Sequence, residues 1–116
     1  GWHDVHNLSH DRIVSLADPL HLDILIDLAG HTGGSCIPPL LRRLAPIQIT
    51  YCGYPNTTGC ASVDARLVDS HTDPSPAADA HASERLIRLD PCFLCYRPPA
   101  EAPTLSPRGP GRLPTS

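Results

Sequence analysis

The chain has 116 residues, 41% of them hydrophobic and 18% charged, with a formal charge of −3. That leaves room for one small domain, and the acidic balance provides no basic footprint for nucleic acid. All nine cations are Arg, which excludes a local mechanism built on Lys, such as a P-loop or a Schiff base. No apolar run approaches the roughly 20 residues of a membrane span. No basic-then-apolar signal peptide opens the chain, and a start at Gly1 in place of Met suggests a fragment. The five cysteines, Cys36, Cys52, Cys60, Cys92 and Cys95, are an odd number. Four lie in apolar or turn surroundings, so they read as reduced, buried thiols of a cytoplasmic protein.

The opening GWHDVHNLSH is polar, and His3, His6 and His10 lack a Cys or carboxylate at ligand spacing. It reads as a loop leading to a helix cap, not as a metal site. Ser9 is the expected N-cap of a helix over residues 10–18, with Ile13, Val14, Leu16 and Ala17 on its apolar face. Asp18-Pro19 ends it, because a residue before proline is pushed out of the α region. Residues 22–28 form the clearest strand, a nearly continuous Leu/Ile run expected to be covered on both faces of a parallel sheet. A glycine-rich loop, Ala29-Gly30-His31-Thr32-Gly33-Gly34, follows. Ser35 then caps a helix with Leu40, Leu41 and Leu44 toward the core, although Pro38 and Pro39 delay or distort its start.

Residues 47–52 form a second strand, which breaks into Gly53-Tyr54-Pro55-Asn56-Thr57-Thr58-Gly59, a run dense in turn formers. Residues 64–69 read as a third strand and 84–89 as a fourth, at an edge. The stretch from Ser70 to Ala82, with Pro74 and Pro76, reads as a loop holding a turn of helix. Cys92 and Cys95 form a single CxxC, a weak zinc signal without a second pair, and that segment is expected to be extended and partly buried. Residues 97–116 are rich in Pro, Gly, Ser, Thr and Arg and are expected to be a disordered tail or truncated linker.

Strand, glycine loop, helix, strand, glycine loop, strand is half of an open, mostly parallel α/β sheet with flanking helices. In a parallel arrangement both glycine loops share the C-terminal edge, where such sheets bind ligands. His31 and Thr32 then converge with Tyr54, Asn56, Thr57 and Thr58 on one cleft. Thr57 and Thr58 offer two adjacent hydroxyls.

The motifs DILIDLAGHTGG, APIQITYCGYPNTTG, VDARLVDSHTDP and RLIRLDPCFLCY, in this order, resemble one continuous part of the catalytic region of the O-GlcNAc transferase and SPINDLY family. The resemblance covers about residues 1–103. The loop form GYPNTTG is nearer to SPINDLY and bacterial members than to the animal enzymes, which read GYPGTSG. The resemblance implies a GT-B architecture of two Rossmann-like lobes, with residues 1–96 forming a later part of the N-terminal lobe. It implies transfer of GlcNAc or fucose from UDP-GlcNAc or GDP-fucose to Ser or Thr hydroxyls of proteins, with no further cofactor. It also implies that Cys52, Gly53 and Pro55 line the donor-sugar pocket. The family's active-site histidine falls before this stretch and its nucleotide-binding lobe, with a phosphate-contacting Lys, falls after it. No catalytic residue is therefore assigned here, and the chain alone is expected not to transfer sugar.

Cys52 departs from the apolar residue usual in the family, and Cys36 with Pro38-Pro39 departs from a regular helix start. Two other readings stand beside the transferase fragment: a non-catalytic α/β module, and a GT-B transferase acting on a non-protein acceptor. Gly53 is expected to approach the donor sugar, so that Gly53→Val impairs donor binding more than stability.

Overall fold

The computed structural model describes residues 1–102. Helix α1, His10–Ala17, begins where Ser9 Oγ accepts the Arg12 N–H at 3.4 Å. It ends in a 3₁₀ turn over Asp18–Leu20, with proline in its first turn. Four strands follow: β1 (Ile24–Asp27), β2 (Ile47–Tyr51), β3 (Ala65–Val68) and β4 (Arg85–Arg88), with the short helix α2 (Ile37–Leu40) between β1 and β2. A 3₁₀ turn over Asp79–His81 lies between β3 and β4. The strands pair in sequence order and all in parallel, so β4 is an edge as expected and every strand-ending loop lies on one side of the sheet.

β1 departs from the expected double cover. Leu25 and Asp27 turn toward the core, whereas Ile24 and Ile26 are each 52% exposed and Leu28 is 62% exposed. Side chains alternate between faces along a strand. The core cluster of Ile37, Leu40, Cys60 and Val63 packs on the face that Leu25 presents. Hence a continuous apolar run does not by itself reveal whether both faces are covered.

Helix α2 is also shorter than its leucine spacing predicts. Pro38 and Pro39 are tolerated in a first turn, where the missing N–H groups have no helical acceptor. After one turn the bonding tightens to Arg42 N–H→Pro39 O and Arg43 N–H→Leu40 O, and Arg43 adopts a left-handed φ of 54°. In this position Arg43 grips Asp64 through two bonds of 2.6 and 2.8 Å. That bond, with the Gln48 N–H, holds the Asp64 carboxyl below the usual range. As a result Leu41 faces solvent and Leu44 is half-buried.

Gln48, fully buried on β2, ties the layers together. Its amide donates to Leu40 O at 2.9 Å and Ser62 O at 2.7 Å, and its carbonyl accepts the Leu44 N–H at 2.9 Å. Gln48→Leu leaves two carbonyls and one N–H without this partner, each costing about 1–3 kcal/mol when desolvated. We expect a loss of about 3 kcal/mol in urea unfolding, and an unchanged midpoint would show that water replaces the amide.

The cysteines are all free, but only Cys60 is buried; Cys36 is half-buried, and Cys52, Cys92 and Cys95 are exposed. Turn surroundings kept three thiols at the surface, correcting the expectation of buried thiols. The segment around the CxxC is likewise mostly exposed, with Phe93 alone partly covered among residues 92–96. Residues 97–102 are exposed and have no helix or strand; the rest of the expected tail lies outside the described residues. No described helix is long and apolar enough to cross a membrane.

Candidate functional site

The loops after β1 and β2 meet at the sheet's C-terminal edge. Asp27, buried at the end of β1, turns the first loop by accepting the Gly30 N–H at 2.6 Å and the Ala29 N–H at 3.3 Å. This Asx turn uses a short carboxylate to bond the backbone a few residues on. His31 then reaches across, placing Nε2 2.8 Å from Thr58 O. A carbonyl oxygen only accepts, so Nε2 carries the hydrogen. The imidazole also meets Tyr54 edge to face, with centroids 5.3 Å apart.

Two glycines let these loops interlock. Gly30 has φ 55°, and a Cβ there would overlap the Tyr54 side chain, with Cγ at 2.9 Å. A Cβ on Gly53 would run into the Leu28 carbonyl, lying 2.8 Å from its carbon. The space beside Gly53 is therefore filled by the chain itself. This alters the expected balance for Gly53→Val: stability and binding fall together.

Just before it, the Gly53 N–H bonds Tyr51 O at 2.9 Å around Cys52, whose φ is 70°. An i→i+2 bond across a residue at that φ is the rare, strained form of the γ-turn. Such a backbone costs about 1–3 kcal/mol and persists where its surroundings hold it. The turn brings the Cys52 side chain to the rim of a cleft.

That cleft, about 120 Å³, lies among Cys52, Tyr54 and Pro55 on one side and Arg66, Leu67, Val68, Thr72, Asp73 and Phe93 on the other. Phe93 is anchored there because its carbonyl accepts the Tyr51 hydroxyl at 3.0 Å and its N–H bonds Asp69 at 3.1 Å. Asp69 also accepts the Thr72 and His71 N–H groups. These bonds, led by that from Thr72, outweigh its desolvation and hold its carboxyl below the usual range. A second hollow of about 200 Å³ shares the Arg66 and Asp73 wall and adds Asn56, Thr57, Ala78, His81 and Ala82. A larger hollow of about 460 Å³ sits elsewhere, between residues 2–13 and Gly34–Cys36, and takes in His3, His6 and His10.

Of the residues singled out from the sequence, Cys52, Tyr54 and Pro55 line the first cleft, and Asn56 and Thr57 the second. His31 and Thr32 are exposed beside them, and the Thr32 hydroxyl is spent on Ala29 O at 2.7 Å. Gly53 and Thr58 line neither hollow; Thr58 is buried. Both threonine hydroxyls turn inward to Glu84, a residue that sequence reasoning placed only as the start of a strand. The Glu84 carboxylate accepts Thr57 Oγ–H at 2.8 Å, Ser83 Oγ–H at 2.6 Å and the Thr58 N–H at 3.1 Å. Arg66 Nε stands 3.5 Å away while its other end pairs with Asp73 at 2.6 Å. Burial alone would raise the Glu84 carboxyl, but the bonds from Ser83, Thr57 and Thr58 outweigh it and hold it low. The stability linked to this shift is present above the ordinary glutamate pKa and is lost as pH falls through the lower folded value. A charged residue at the head of a strand was the available signal, and its inward direction was not legible. At Cys36, burial first and then the Asp27 charge push the thiol up. Among the described residues no group of three His, Cys, Asp or Glu side chains is placed to hold a metal ion.

Parallel strands, glycine-locked loops and clefts at the C-terminal edge define an α/β lobe of the ligand-binding type. The sequence pattern described as Glycosyl transferase family 41 matches residues 5–96, and the chain belongs to that family. It is 42% identical over 106 residues to the protein of Eustoma exaltatum subsp. russellianum named as a probable UDP-N-acetylglucosamine–peptide N-acetylglucosaminyltransferase SPINDLY, covering 91% of this chain and 11% of that one. The Arabidopsis thaliana protein of the same name is also 42% identical, with 91% and 12% covered. An Arabidopsis thaliana relative named SEC is 34% identical over 91 residues, 78% of this chain and 9% of its own. A solved mutant of the Thermobaculum terrenum O-GlcNAc transferase superimposes with a TM-score of 0.82 at 36% identity, over 91% of this chain and 20% of that one. The chain thus spans about a tenth of the length of the SPINDLY-named relatives.

Proposed function

We propose that this chain forms the donor-sugar side of the active cleft in a cytoplasmic protein O-glycosyltransferase. The enzyme would move GlcNAc or fucose from UDP-GlcNAc or GDP-fucose to Ser or Thr hydroxyls of a protein acceptor. Cys52 and Pro55 form the sugar-facing side of the turn around Gly53; Tyr54, Asn56 and Thr57 extend it, while His31, Thr32 and Thr58 brace it. The observation that carries this reading is the convergence of Cys52, Tyr54 and Pro55 on one cleft at the C-terminal edge of a parallel sheet. Its character favours the sugar over the diphosphate. Arg66, the cation in its wall, is engaged by Asp73 and Glu84, so little positive charge remains to meet phosphate. The remaining wall, with Tyr54, Pro55, Val68 and Phe93, suits the apolar face of a sugar ring, and the chain has no Lys. Orientation of the donor is what such a rigid, strained turn supplies to catalysis. No further cofactor, membrane or nucleic acid enters the reading.

A chimera in which this chain replaces the matching stretch of the Thermobaculum terrenum O-GlcNAc transferase tests it. Cys52→Trp fills the cleft from an exposed position already at positive φ. We expect the donor KM to rise at least about tenfold, equivalent to about 1.4 kcal/mol, with little change in thermal midpoint. An unaltered donor KM would remove this loop from the sugar pocket.

A further inference from the structure

We propose that Glu84, at the head of β4, is a positioning residue for the donor pocket, fixing the Thr57–Thr58 part of its loop from beneath. The inference rests on the reading of that loop as sugar-facing. Glu84 itself lines neither hollow: its side chain is fully buried, beneath Thr57 and beside Arg66, which do line them. Thr57 is the link. Its hydroxyl donates to Glu84 Oε2 at 2.8 Å and accepts the Ser83 N–H at 3.0 Å, while Thr57 itself lines the second hollow. Thr58 is held in parallel through its N–H, at 3.1 Å from Oε1, and its own hydroxyl accepts the Cys60 N–H at 3.3 Å. The loop thereby leaves the γ-turn at Cys52 with one end fixed by β2 and the other by a residue 26 positions on. A loop strained at Cys52 keeps its shape only if both ends are held.

A carboxylate suits this place because several donors converge on its two acceptor oxygens: hydroxyls from Thr57 and Ser83, the Thr58 N–H, and Arg66 close by. Glutamine keeps the shape but turns one acceptor into a donor facing hydroxyls and an arginine. The loop then loses its register while the sheet retains its core.

The test uses the same chimera, assayed well below every variant's unfolding midpoint, with donor and acceptor KM measured separately. Glu84→Gln should raise the donor KM about tenfold and leave the acceptor KM unchanged. Thr57→Val should do the same, and the double variant should be no worse than the weaker-binding single, because Thr57 is held through its bond to Glu84. A folded Glu84→Gln with the parent's donor KM overturns the inference, as do effects that multiply in the double variant. Equal changes in donor and acceptor KM also overturn it, since they mark general loosening. If Glu84→Gln does not fold, Glu84→Asp decides, since it keeps the charge and shortens the reach to Thr57: a raised donor KM supports the inference and an unchanged one overturns it. Cys52→Trp separates the two levels. If it leaves the donor KM unaltered, the loop reading fails and this inference with it; if it raises the donor KM while Glu84→Gln does not, only the inference fails.

Discussion

Gly53→Ala is expected to destabilise the protein by about 3 kcal/mol or more, a large loss for a single methyl group. The added Cβ would overlap the Leu28 carbonyl oxygen and stand 2.8 Å from its carbon and 3.3 Å from Ala29 Cα. All three are backbone atoms, so no side-chain rotation relieves the contact. Relief requires the β1 and β2 ends to separate, or the loop to unlock. Separation would strain the parallel pairing of Asp27 with Thr50, the last pair of the ladder. Unlocking would break the bond from the Gly53 N–H to Tyr51 O and release the strained turn at Cys52. Both routes reach the cleft, so donor binding and stability should fall together. Urea unfolding and donor titration on one variant measure the two effects. A normal unfolding midpoint would show that the loop relaxes around the methyl. Normal stability with lost binding would instead return Gly53 to direct contact with the sugar.

The second large effect is expected at Arg66. This side chain is 7% exposed and lies between Asp73, 14% exposed, and Glu84, which is fully covered. Arg66→Ala leaves two ionised carboxylates in poorly solvated surroundings. Breaking a buried pair from one side costs about 3–5 kcal/mol, because the remaining charge has no counterpart. Glu84 keeps its bonds from Ser83, Thr57 and Thr58, whereas Asp73 loses its cation at 2.6 Å. Thermal unfolding of Arg66→Ala beside Arg66→Met, which keeps most of the stem without the charge, checks this: similar losses in both assign the effect to the missing cation, and a normal midpoint in Arg66→Met would assign it to packing of the arginine stem alone.

Local sequence determined the elements and their order. Ser9 before an apolar face announced α1, Leu/Ile-rich runs announced β1 and β2, and the glycine and proline clusters marked where strands end. Those signals depend on backbone preference and on spacing within a few residues, and they survive in any surroundings. The GYPNTTG loop and its neighbours also carried the family, since a motif is itself local. What the sequence left open was every fact that depends on which residues meet across the sheet. The open face of β1 depends on what covers it, and Ile24 reads the same whether covered or bare. Gly53 looked like room for a ligand until the Leu28 carbonyl, 25 residues earlier in the chain, was seen to fill that room. The hydroxyls of Thr57 and Thr58 looked available to a substrate, yet parallel pairing brings Glu84 beneath them and they bond inward. Only the tertiary structure decides such matters. A buried polar group must find a partner wherever the register puts one, and that register is a property of the assembled sheet.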